Sequence, residues 1–390
     1  MISKDMIKNE KCPNLFLDLD ALDKNCQEIA NKSRGKTIRI ATKSIRSVKV
    51  LRRILQSHPI YKGVMSFTST EALFLIEKGF DDILIGYPSW DEKALSRISL
   101  IKEEQAKVIC MVDSIEQVEY LNHIAHNSDG TLNICIDIDM STNIAGFHFG
   151  VRRSPLTRSE QVLALVNKVM GYPHLQFKGV MGYEAQIAGV GDNAPSSHIK
   201  NKMITLMKKK SIVEVKARRS DILAVLKAQG LIPDLVNGGG TGSLKTTAME
   251  DGITEITVGS GFYSPLLFDS YRDLQYEPAL YFALPIVRKP GPHLYTCLGG
   301  GYVASGTPGI DKLPLPVIPA GAKLLPMEGA GEVQTPIFYD KDFLHLGDPV
   351  IFRPAKAGEI CERFPEILCF SNGELVDRFE TYRGDGVCFL

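Results

Sequence analysis

The sequence predicts an α/β fold, an eight-stranded (β/α)8 barrel of the TIM type with a second, C-terminal domain that is rich in β-structure. Between about residues 34 and 260, short β-branched runs alternate with longer stretches of helical periodicity, which is typical of parallel βα units. Beyond Tyr271 the chain changes to short alternating runs interrupted by Pro and Gly. We therefore expect the barrel over residues 20–270, and the β-rich domain over residues 271–390 together with residues 1–19.

Eight segments have the length and composition of barrel strands. They are residues 38–42, 64–67, 82–86, 107–112, 132–139, 175–181, 234–237 and 255–259. Helix signals lie between them at residues 70–76, at the capping-box pattern of residues 114–117, and at residues 159–170. An open doubly wound sheet is the alternative architecture. No G-x-G-x-x-G motif follows the first strand, which disfavours a dinucleotide site.

The charge composition indicates a small-molecule partner. Lys plus Arg and Asp plus Glu each number 45, so the formal net charge is +0 and no basic field favours nucleic acid or anionic lipid. The sequence has no apolar stretch of membrane-spanning length and no apolar leader core. Its eight cysteines are thinly spread without a C-x-x-C pair, as in proteins with reduced thiols. We expect a cytoplasmic protein.

The first barrel strand presents a lysine at its end. Alternation with period two puts Arg39, Ala41 and Lys43 on one face and the isoleucines on the other. If the isoleucines face the helices, Arg39 and Lys43 point into the barrel. The carboxyl end of the strands is where such barrels keep their chemistry. Arg39 would lower the pKa of Lys43 and favour the free amine. A lysine that reaches into solvent explains this strand equally well.

Glycine-rich segments follow the seventh and eighth strands, at residues 237–242 (Asn-Gly-Gly-Gly-Thr-Gly) and 259–261 (Gly-Ser-Gly). Glycine lets main-chain N–H groups approach a phosphate, and these two loops are the usual phosphate site of a TIM barrel. A flexible linker is the alternative, although both segments lie between structured runs. A lysine that faces a phosphate site suits pyridoxal 5'-phosphate (PLP), which needs a covalent anchor and an anion site.

Three segments resemble the fold-type III PLP enzymes. Residues 39–44 (Arg-Ile-Ala-Thr-Lys-Ser) are similar to the segment that carries the cofactor lysine, and are closer to the D-threonine aldolase and D-serine dehydratase group than to alanine racemases. Residues 236–242 look like the phosphate loop of that group, and residues 182–186 look like its sixth-strand tyrosine segment. The resemblance runs from about residue 14 to 364. It implies a PLP-dependent enzyme that forms a homodimer.

The resemblance also implies roles for individual residues. Lys43 would be the catalytic Schiff-base lysine and proton shuttle, and Tyr183 would line the cofactor ring, although a packed core tyrosine is a close alternative. Gln186 is a weaker candidate for a substrate contact. The cofactor-binding set is Lys43, Arg39, Asn143, Tyr183, Gly239, Gly240, Thr241, Gly259, Ser260 and Gly261.

Two positions depart from the pattern of the group. Asn143 stands in the segment where the group has an arginine directed at the ring oxygen of the cofactor. Lys356 and Gly358 stand where the aldolases and dehydratases have a metal pair, a His followed two residues later by Cys or Asp. We therefore expect no metal, with the Lys356 ammonium as a weak candidate for a substrate contact.

Other possible ligands are less specific. None of the eight histidines has the spacing of a metal motif. His345 and Asp348 are possible ligands that folding could bring together, although a structural pair explains them better. The adjacent Arg152 and Arg153 could meet a substrate carboxylate, although a solvated loop pair explains them better.

The leading hypothesis is a PLP-dependent lyase that acts on a β-hydroxy D-amino acid, by retro-aldol cleavage or by loss of the β-hydroxyl group. The first alternative is an amino-acid racemase, which needs a second proton carrier, with Tyr302 and Cys297 as candidates. The second is a non-catalytic PLP carrier protein, which the expected second domain disfavours. A decarboxylase is disfavoured because its characteristic motifs are missing from the sequence.

Overall fold

The computed structural model describes residues 4–7, 10–144, 146–195 and 198–390. The chain divides into two compact units. The barrel unit comprises residues 29–43, 55–259 and 389–390, and the β unit comprises the described residues among 1–28, 44–54 and 260–388.

Strands and helices are numbered along the chain. The strands are β1 (Asn14–Asp18), β2 (Thr37–Ala41), β3 (Tyr61–Ser66), β4 (Asp82–Ile85), β5 (Lys107–Val112), β6 (Leu132–Asp137), β7 (Thr142–Ile144), β8 (Phe147–Phe149), β9 (Leu175–Gly182), β10 (Leu235–Gly238), β11 (Glu255–Val258), β12 (Leu280–Gly291), β13 (Leu294–Leu298), β14 (Leu315–Ile318), β15 (Lys323–Leu324), β16 (Gln334–Phe338), β17 (Pro349–Arg353), β18 (Glu366–Ser371) and β19 (Glu374–Glu380). The α-helices are α1 (Leu19–Lys32), α2 (Val48–Ser57), α3 (Ser69–Glu77), α4 (Glu92–Ser99), α5 (Ile115–Asn127), α6 (Ser159–Met170), α7 (Ala185–Ala188), α8 (His198–Ala228) and α9 (Leu244–Thr247).

Eight parallel strands close into a barrel, in the order β10-β11-β2-β3-β4-β5-β6-β9. Strand pairing continues around the whole ring, from Glu255 opposite Thr37 to Leu235 opposite Gly179. The register shifts at two places, between Ile38 and Ile40 and between Ile134 and Cys135. Each of the eight predicted strands is present. The closed ring confirms the predicted fold class and excludes the open doubly wound sheet.

Apolar side chains fill the barrel interior. Leu84, Ile109, Met111, Cys135, Met181 and Leu235 form a buried cluster with Met65 packed against it. Because side chains alternate along a strand, this cluster shows which face of each strand points inward. The same alternation directs the residues just beyond the strand ends into the barrel mouth, which we define as the carboxyl end of the eight strands.

Arg39 lies at the opposite end of the barrel from this mouth. Its side chain is 2% exposed, and its Nε donates to Glu255 Oε1 at 2.6 Å while Nη1 is 2.8 Å from Asp82 Oδ1. Glu255 and Asp82 are the first residues of β11 and β4. Arg39 points inward, as predicted. The predicted position of its guanidinium beside the Lys43 amine is wrong, because the two carboxylates draw the guanidinium towards the amino ends of the strands.

Local side chains set the starts of the helices. Thr68 caps α3 by accepting the Glu71 N–H at 3.0 Å. Ser114 caps α5 by accepting the Gln117 N–H at 3.3 Å, while Gln117 Oε1 accepts the Asp113 N–H. Only the Ser114 half of the predicted capping box therefore forms, because Gln117 reaches the N–H of Asp113, one residue before the N-cap.

The 31-residue helix α8 is the main element that sequence reasoning missed. Its buried positions are largely polar, so it has no apolar stripe of helical period. They are Asn201, Lys208, Ser211, Val215, Arg219, Ile222 and Leu226. Val215, Ile222 and Leu226 are the apolar members, and all three lie in the second half of the helix. Hydrogen bonds and ion pairs bury the other positions, and a hydrophobic pattern cannot indicate these.

The β unit contains a mixed sheet with the path β15-β16-β13-β12-β1-β18-β19, and β17 pairs with both β12 and β14. Strand β1 lies between β12, to which it is antiparallel, and β18, to which it is parallel. Phe16, Ala283, Ile351, Leu368 and Phe370 form its buried cluster.

All eight cysteines are free thiols. Over the described ranges, no helix has the length and apolar character needed to cross a membrane.

Arg39→Met should lower the free energy of unfolding by about 3–5 kcal/mol, because it leaves the Glu255 and Asp82 carboxylates without their buried counter-ion. Urea unfolding measures this loss. The matched control is Arg97→Met, which removes an exposed pair with Glu77 and should cost less than about 1 kcal/mol. Equal costs for the two variants would show that the Arg39 pairs do not support the barrel.

Candidate active site

Lys43 lies immediately after β2, at the barrel mouth. It forms part of a short 3₁₀ turn and its side chain is exposed. Its Nζ donates to the Tyr87 hydroxyl oxygen at 2.7 Å. Tyr87 follows Gly86 at the carboxyl end of β4. No sequence motif indicated Tyr87, although it lies at the carboxyl end of a barrel strand, as Lys43 does.

Arg153 lies over both tyrosines of the mouth. Its guanidinium carbon is 5.3 Å from the centre of the Tyr87 ring and 5.1 Å from that of Tyr183. The next residue fixes this segment, because Ser154 Oγ donates to the main-chain oxygen of Asp137 at 2.7 Å. Arg153 is therefore an exposed loop residue, as the sequence favours, in a segment that Ser154 ties to the end of β6.

The cations change the acidity of the two phenols in different ways. Burial opposes ionisation of Tyr87, but the Lys43 and Arg153 charges outweigh it, so the pKa of Tyr87 lies below its ordinary value. Burial raises the pKa of Tyr183 to about 12, against the opposing charge of Arg153. Tyr183 is thus a neutral phenol near pH 7, whereas Tyr87 is the more acidic of the two phenols and the better proton donor.

A buried carboxyl group completes the mouth. Asp137 ends β6 and shares the inward face of Cys135. Burial raises the pKa of Asp137 to about 7, with Arg153 acting in the opposite direction and with Asp113 and Asp139 adding to the rise. At neutral pH this carboxyl group can therefore either hold or release a proton. No sequence motif marked it.

Glu184 supports the glycine-rich loop after β10. It follows β9, it is 1% exposed, and its Oε2 accepts the Gly239 N–H at 3.2 Å. Its Oε1 accepts hydrogen bonds from Ser243 at 2.9 Å and from Thr247. Arg219 of α8 forms the counter-ion at 3.2 Å. A single carboxylate therefore ties the end of β9 to the loop and to α8.

Arg219 has further partners, and they make the network rigid. Its Nη2 donates to the main-chain oxygen of Gly182 at 3.1 Å, and its Nη1 pairs with Glu250. The neighbouring Arg218 donates to the main-chain oxygens of Asp139 and Ser141 at 2.6 and 2.9 Å. Helix α8 thus uses adjacent arginines to hold the loops after β6, β9 and β10.

This network corrects one part of the predicted phosphate site. The Gly239 N–H donates to Glu184, and the Gly240 N–H donates to Ser243 Oγ at 3.1 Å. These two main-chain donors are engaged within the protein, and the helix that follows has only four residues. The phosphate contacts predicted for Thr241 and Ser260 do not depend on these two donors and stay predictions.

The sequence also predicts Asn143 as a contact of the cofactor and Gln186 as a contact of the substrate, both in the barrel unit. Asn143 is exposed in β7, opposite His148 of β8. Gln186 is 1% exposed and its Nε2 donates to the Met140 main-chain oxygen at 2.6 Å. The structure supports a bracing role for Gln186 rather than the predicted substrate contact.

The remaining candidates belong to the β unit. Ser260 Oγ is 3.1 Å from Ser44 Oγ. Lys356 Nζ donates to the main-chain oxygen of Ser305 at 2.7 Å, and Glu359 accepts from both the N–H and the hydroxyl of Ser305. Ser305 therefore links Lys356 and Glu359.

The possible metal ligands of the β unit have other structural roles. Asp348 accepts the His345 N–H at 2.8 Å, which makes them a local structural pair. Burial raises the pKa of the Cys361 thiol to about 12, which opposes formation of a thiolate ligand. Among residues 4–7, 10–144, 146–195 and 198–390, no three His, Cys, Asp or Glu side chains group as metal ligands.

The side chains at the barrel mouth fit pyridoxal phosphate. Lys43 offers an exposed amine for an aldehyde, and Arg153 offers a cation for an anionic oxygen. A Cβ atom at Gly240 would lie 3.1 Å from the Tyr183 ring and 2.9 Å from Ala188 Cβ, so only glycine lets the loop approach this ring. An amine, a guanidinium and a close main-chain approach are the features that this cofactor requires.

Glu184→Gln should weaken PLP binding by about tenfold or more, because an amide removes the counter-ion of Arg219 and one acceptor for the loop. Absorbance titration of the cofactor-free protein with PLP measures the affinity. Ser243→Ala should weaken binding in the same direction without a change of charge.

The matched control is Glu214→Gln. It removes the Arg218 partner on the same helix, at a more exposed position, and should leave the affinity nearly unchanged. Wild-type affinity in a folded Glu184→Gln protein would show that the carboxylate does not position the loop.

Comparisons with known proteins agree with this geometry. The chain is 25% identical to 3-hydroxy-D-aspartate aldolase of Paracoccus denitrificans (strain Pd 1222) over 292 residues. This alignment covers 72% of this chain and 70% of that protein. The crystal structure of D-threonine aldolase from Filomicrobium marinum superimposes with a TM-score of 0.81 at 18% identity, over 97% of this chain and 96% of that one. D-threo-3-hydroxyaspartate dehydratase from Delftia sp. HT23 gives 0.75 at 16%, over 95% and 97%. Residues 17–263 match the model of the alanine racemase N-terminal domain, and the chain therefore belongs to that family.

Proposed function

We propose that this protein is a PLP-dependent lyase that acts on a β-hydroxy D-amino acid, by aldol cleavage or by dehydration. The observation that carries the proposal is the Lys43 amine at the barrel mouth, which lies 2.7 Å from the Tyr87 hydroxyl. The Arg153 guanidinium lies over the ring of the same tyrosine. The family is PLP-dependent, and the relatives named above act on β-hydroxy D-amino acids.

Lys43 would hold the cofactor covalently, and Tyr183 would contact its ring. Arg153 would meet the ring oxygen, in the role that the sequence left to Asn143. The phosphate would lie at the loop after β10, where Thr241 offers a hydroxyl group, and at Gly259. The contacts of Ser260 and Gly261 with the phosphate stay predictions from the sequence. When bound, PLP supplies an electron sink for cleavage of a bond at the α-carbon of an amino acid.

Lys43 and Tyr87 would share a proton along the hydrogen bond that joins them. The ammonium donates to the phenol oxygen directly, and the phenol is made more acidic by its two cationic neighbours. A proton can therefore be held at either atom within one hydrogen bond. Asp137, with its pKa near 7, offers a second position for a proton in the same mouth.

The racemase alternative depends on a second proton carrier. Cys297 is fully buried and burial raises its pKa to about 12, which disfavours it as the proton carrier. Tyr302 is half-buried, and its ring packs on Phe282 and Phe364. It remains the candidate for this role. The carrier alternative has no use for the extensive second sheet of the β unit.

Borohydride reduction of the purified, PLP-loaded protein should fix the cofactor on Lys43, and peptide mapping should find it there. Lys43→Ala should abolish turnover and covalent retention while the fold persists, because the side chain is exposed at the mouth. Lys36→Ala is the matched control, since Lys36 bonds to the Asp251 main-chain oxygen at the amino end of the barrel. Cofactor found on another lysine contradicts the assignment.

A panel of D- and L-isomers of threonine, serine and 3-hydroxyaspartate separates the reactions. Aldol cleavage releases glycine with a carbonyl compound, whereas dehydration releases ammonia with an oxo acid. Interconversion of enantiomers without either product would favour the racemase.

We further propose that turnover needs no divalent metal. Lys356 and Gly358 occupy the positions of the usual ligand pair, and the Lys356 ammonium is held on Ser305. Turnover measured after chelation, and again after adding zinc or manganese, should stay unchanged. A loss that metal restores would contradict this and would point to ligands elsewhere in the chain.

A further inference from the structure

Two histidines of the barrel unit face each other far from the mouth. His126 lies in the last turn of α5, and His174 immediately precedes β9. His126 Nδ1 and His174 Nε2 are 3.3 Å apart, with the ring planes at 73°. We propose that this pair is a zinc-binding site, in which both nitrogens coordinate one Zn²⁺ and water completes the shell.

The distance between the two nitrogens suits zinc. Zinc–imidazole bonds are about 2.0–2.1 Å long, so two nitrogens 3.3 Å apart subtend an angle of about 107° at a shared ion. This is close to the tetrahedral angle that zinc adopts in proteins. The ion would thus bind without separating the two rings.

The hydrogen bonds of His174 determine that its Nε2, and not its Nδ1, faces His126. Its Nδ1 lies 2.9 Å from the main-chain oxygen of Gly130, which can only accept, so Nδ1 carries the proton. In the neutral ring, Nε2 then accepts a hydrogen bond from His126 Nδ1–H in the metal-free protein. Zn²⁺ would displace this one proton and take its place between the two nitrogens. A backbone carbonyl that fixes the tautomer of a histidine in this way is the usual outer partner of a metal ligand.

The main chain holds both residues in place before any ion binds. The His174 oxygen accepts the Leu132 N–H at 2.9 Å, which fixes it to the start of β6. The His126 oxygen accepts the Asp129 N–H at 3.1 Å in the turn that ends α5. Little ordering is therefore needed when zinc binds.

The pair lies at the amino end of the barrel. Strand β9 has eight residues between His174 and Tyr183, which separates the histidines from the mouth by roughly 25 Å. Zinc found in the purified protein could therefore be bound far from Lys43, and metal content alone would not indicate a catalytic metal.

The test is calorimetric titration with Zn²⁺ of the full-length, PLP-loaded protein, first stripped of metal with chelator. Wild type should bind one Zn²⁺ per chain. His126→Ala and His174→Ala should each weaken this binding by more than about 100-fold, beyond the loss of an outer partner. His123→Ala is the matched control, because His123 is an exposed histidine of the same helix that contacts Asn127, and it should retain the site.

A second measurement does not depend on affinity. Cu²⁺ bound to the wild type should show coupling to two imidazole nitrogens in electron paramagnetic resonance, and to at most one in either variant of the pair. Circular dichroism confirms that each variant is folded. Absence of saturable Zn²⁺ binding in the wild type, or binding that survives in both His126→Ala and His174→Ala, would overturn the proposal.

Discussion

The arrangement of the loops at the barrel mouth depends on the hydrogen bonds and the ion pair of the buried Glu184 carboxylate. A buried carboxylate is stable only when hydrogen bonds and a counter-ion replace the water that it lost. Here the glycine loop, two hydroxyl groups of the following turn and Arg219 supply these partners. The requirement to satisfy one charge therefore fixes the positions of three separate segments.

The mouth itself combines opposite charges with two phenols. Lys43 and Arg153 are cations, and Asp137 is a carboxyl group whose pKa burial raises to about 7. Tyr87 and Tyr183 differ in acidity because the cationic charges outweigh burial at Tyr87, whereas burial prevails at Tyr183. Groups whose pKa values are moved apart by their surroundings are suited to acid–base work. This is an arrangement for chemistry rather than for stability.

The two ends of the barrel have different tasks. At the amino end, Arg39 is neutralised by Glu255 and Asp82 in the interior, and the His126–His174 pair is fixed by main-chain contacts. At the carboxyl end, Lys43 is exposed and bonds to the Tyr87 hydroxyl. Parallel strands separate these roles because all strand ends of one kind gather at one edge.

Sequence alone determined the barrel, because alternation with period two and helical periodicity are properties of neighbouring residues. It also selected Lys43, the Tyr183 segment and the glycine loops, which follow predictable strands. It could not find Tyr87, Arg153, Asp137 and Glu184 as partners, because their contacts join segments distant along the chain.

The tertiary structure alone decided which polar groups meet and which are already engaged. The direction of the Arg39 guanidinium, the engaged N–H groups of Gly239 and Gly240, and the polar burial of α8 all follow from partners brought close by closure of the barrel. Hydrogen bonds and ion pairs depend on distance in space, and a pattern of residue types records only distance along the chain.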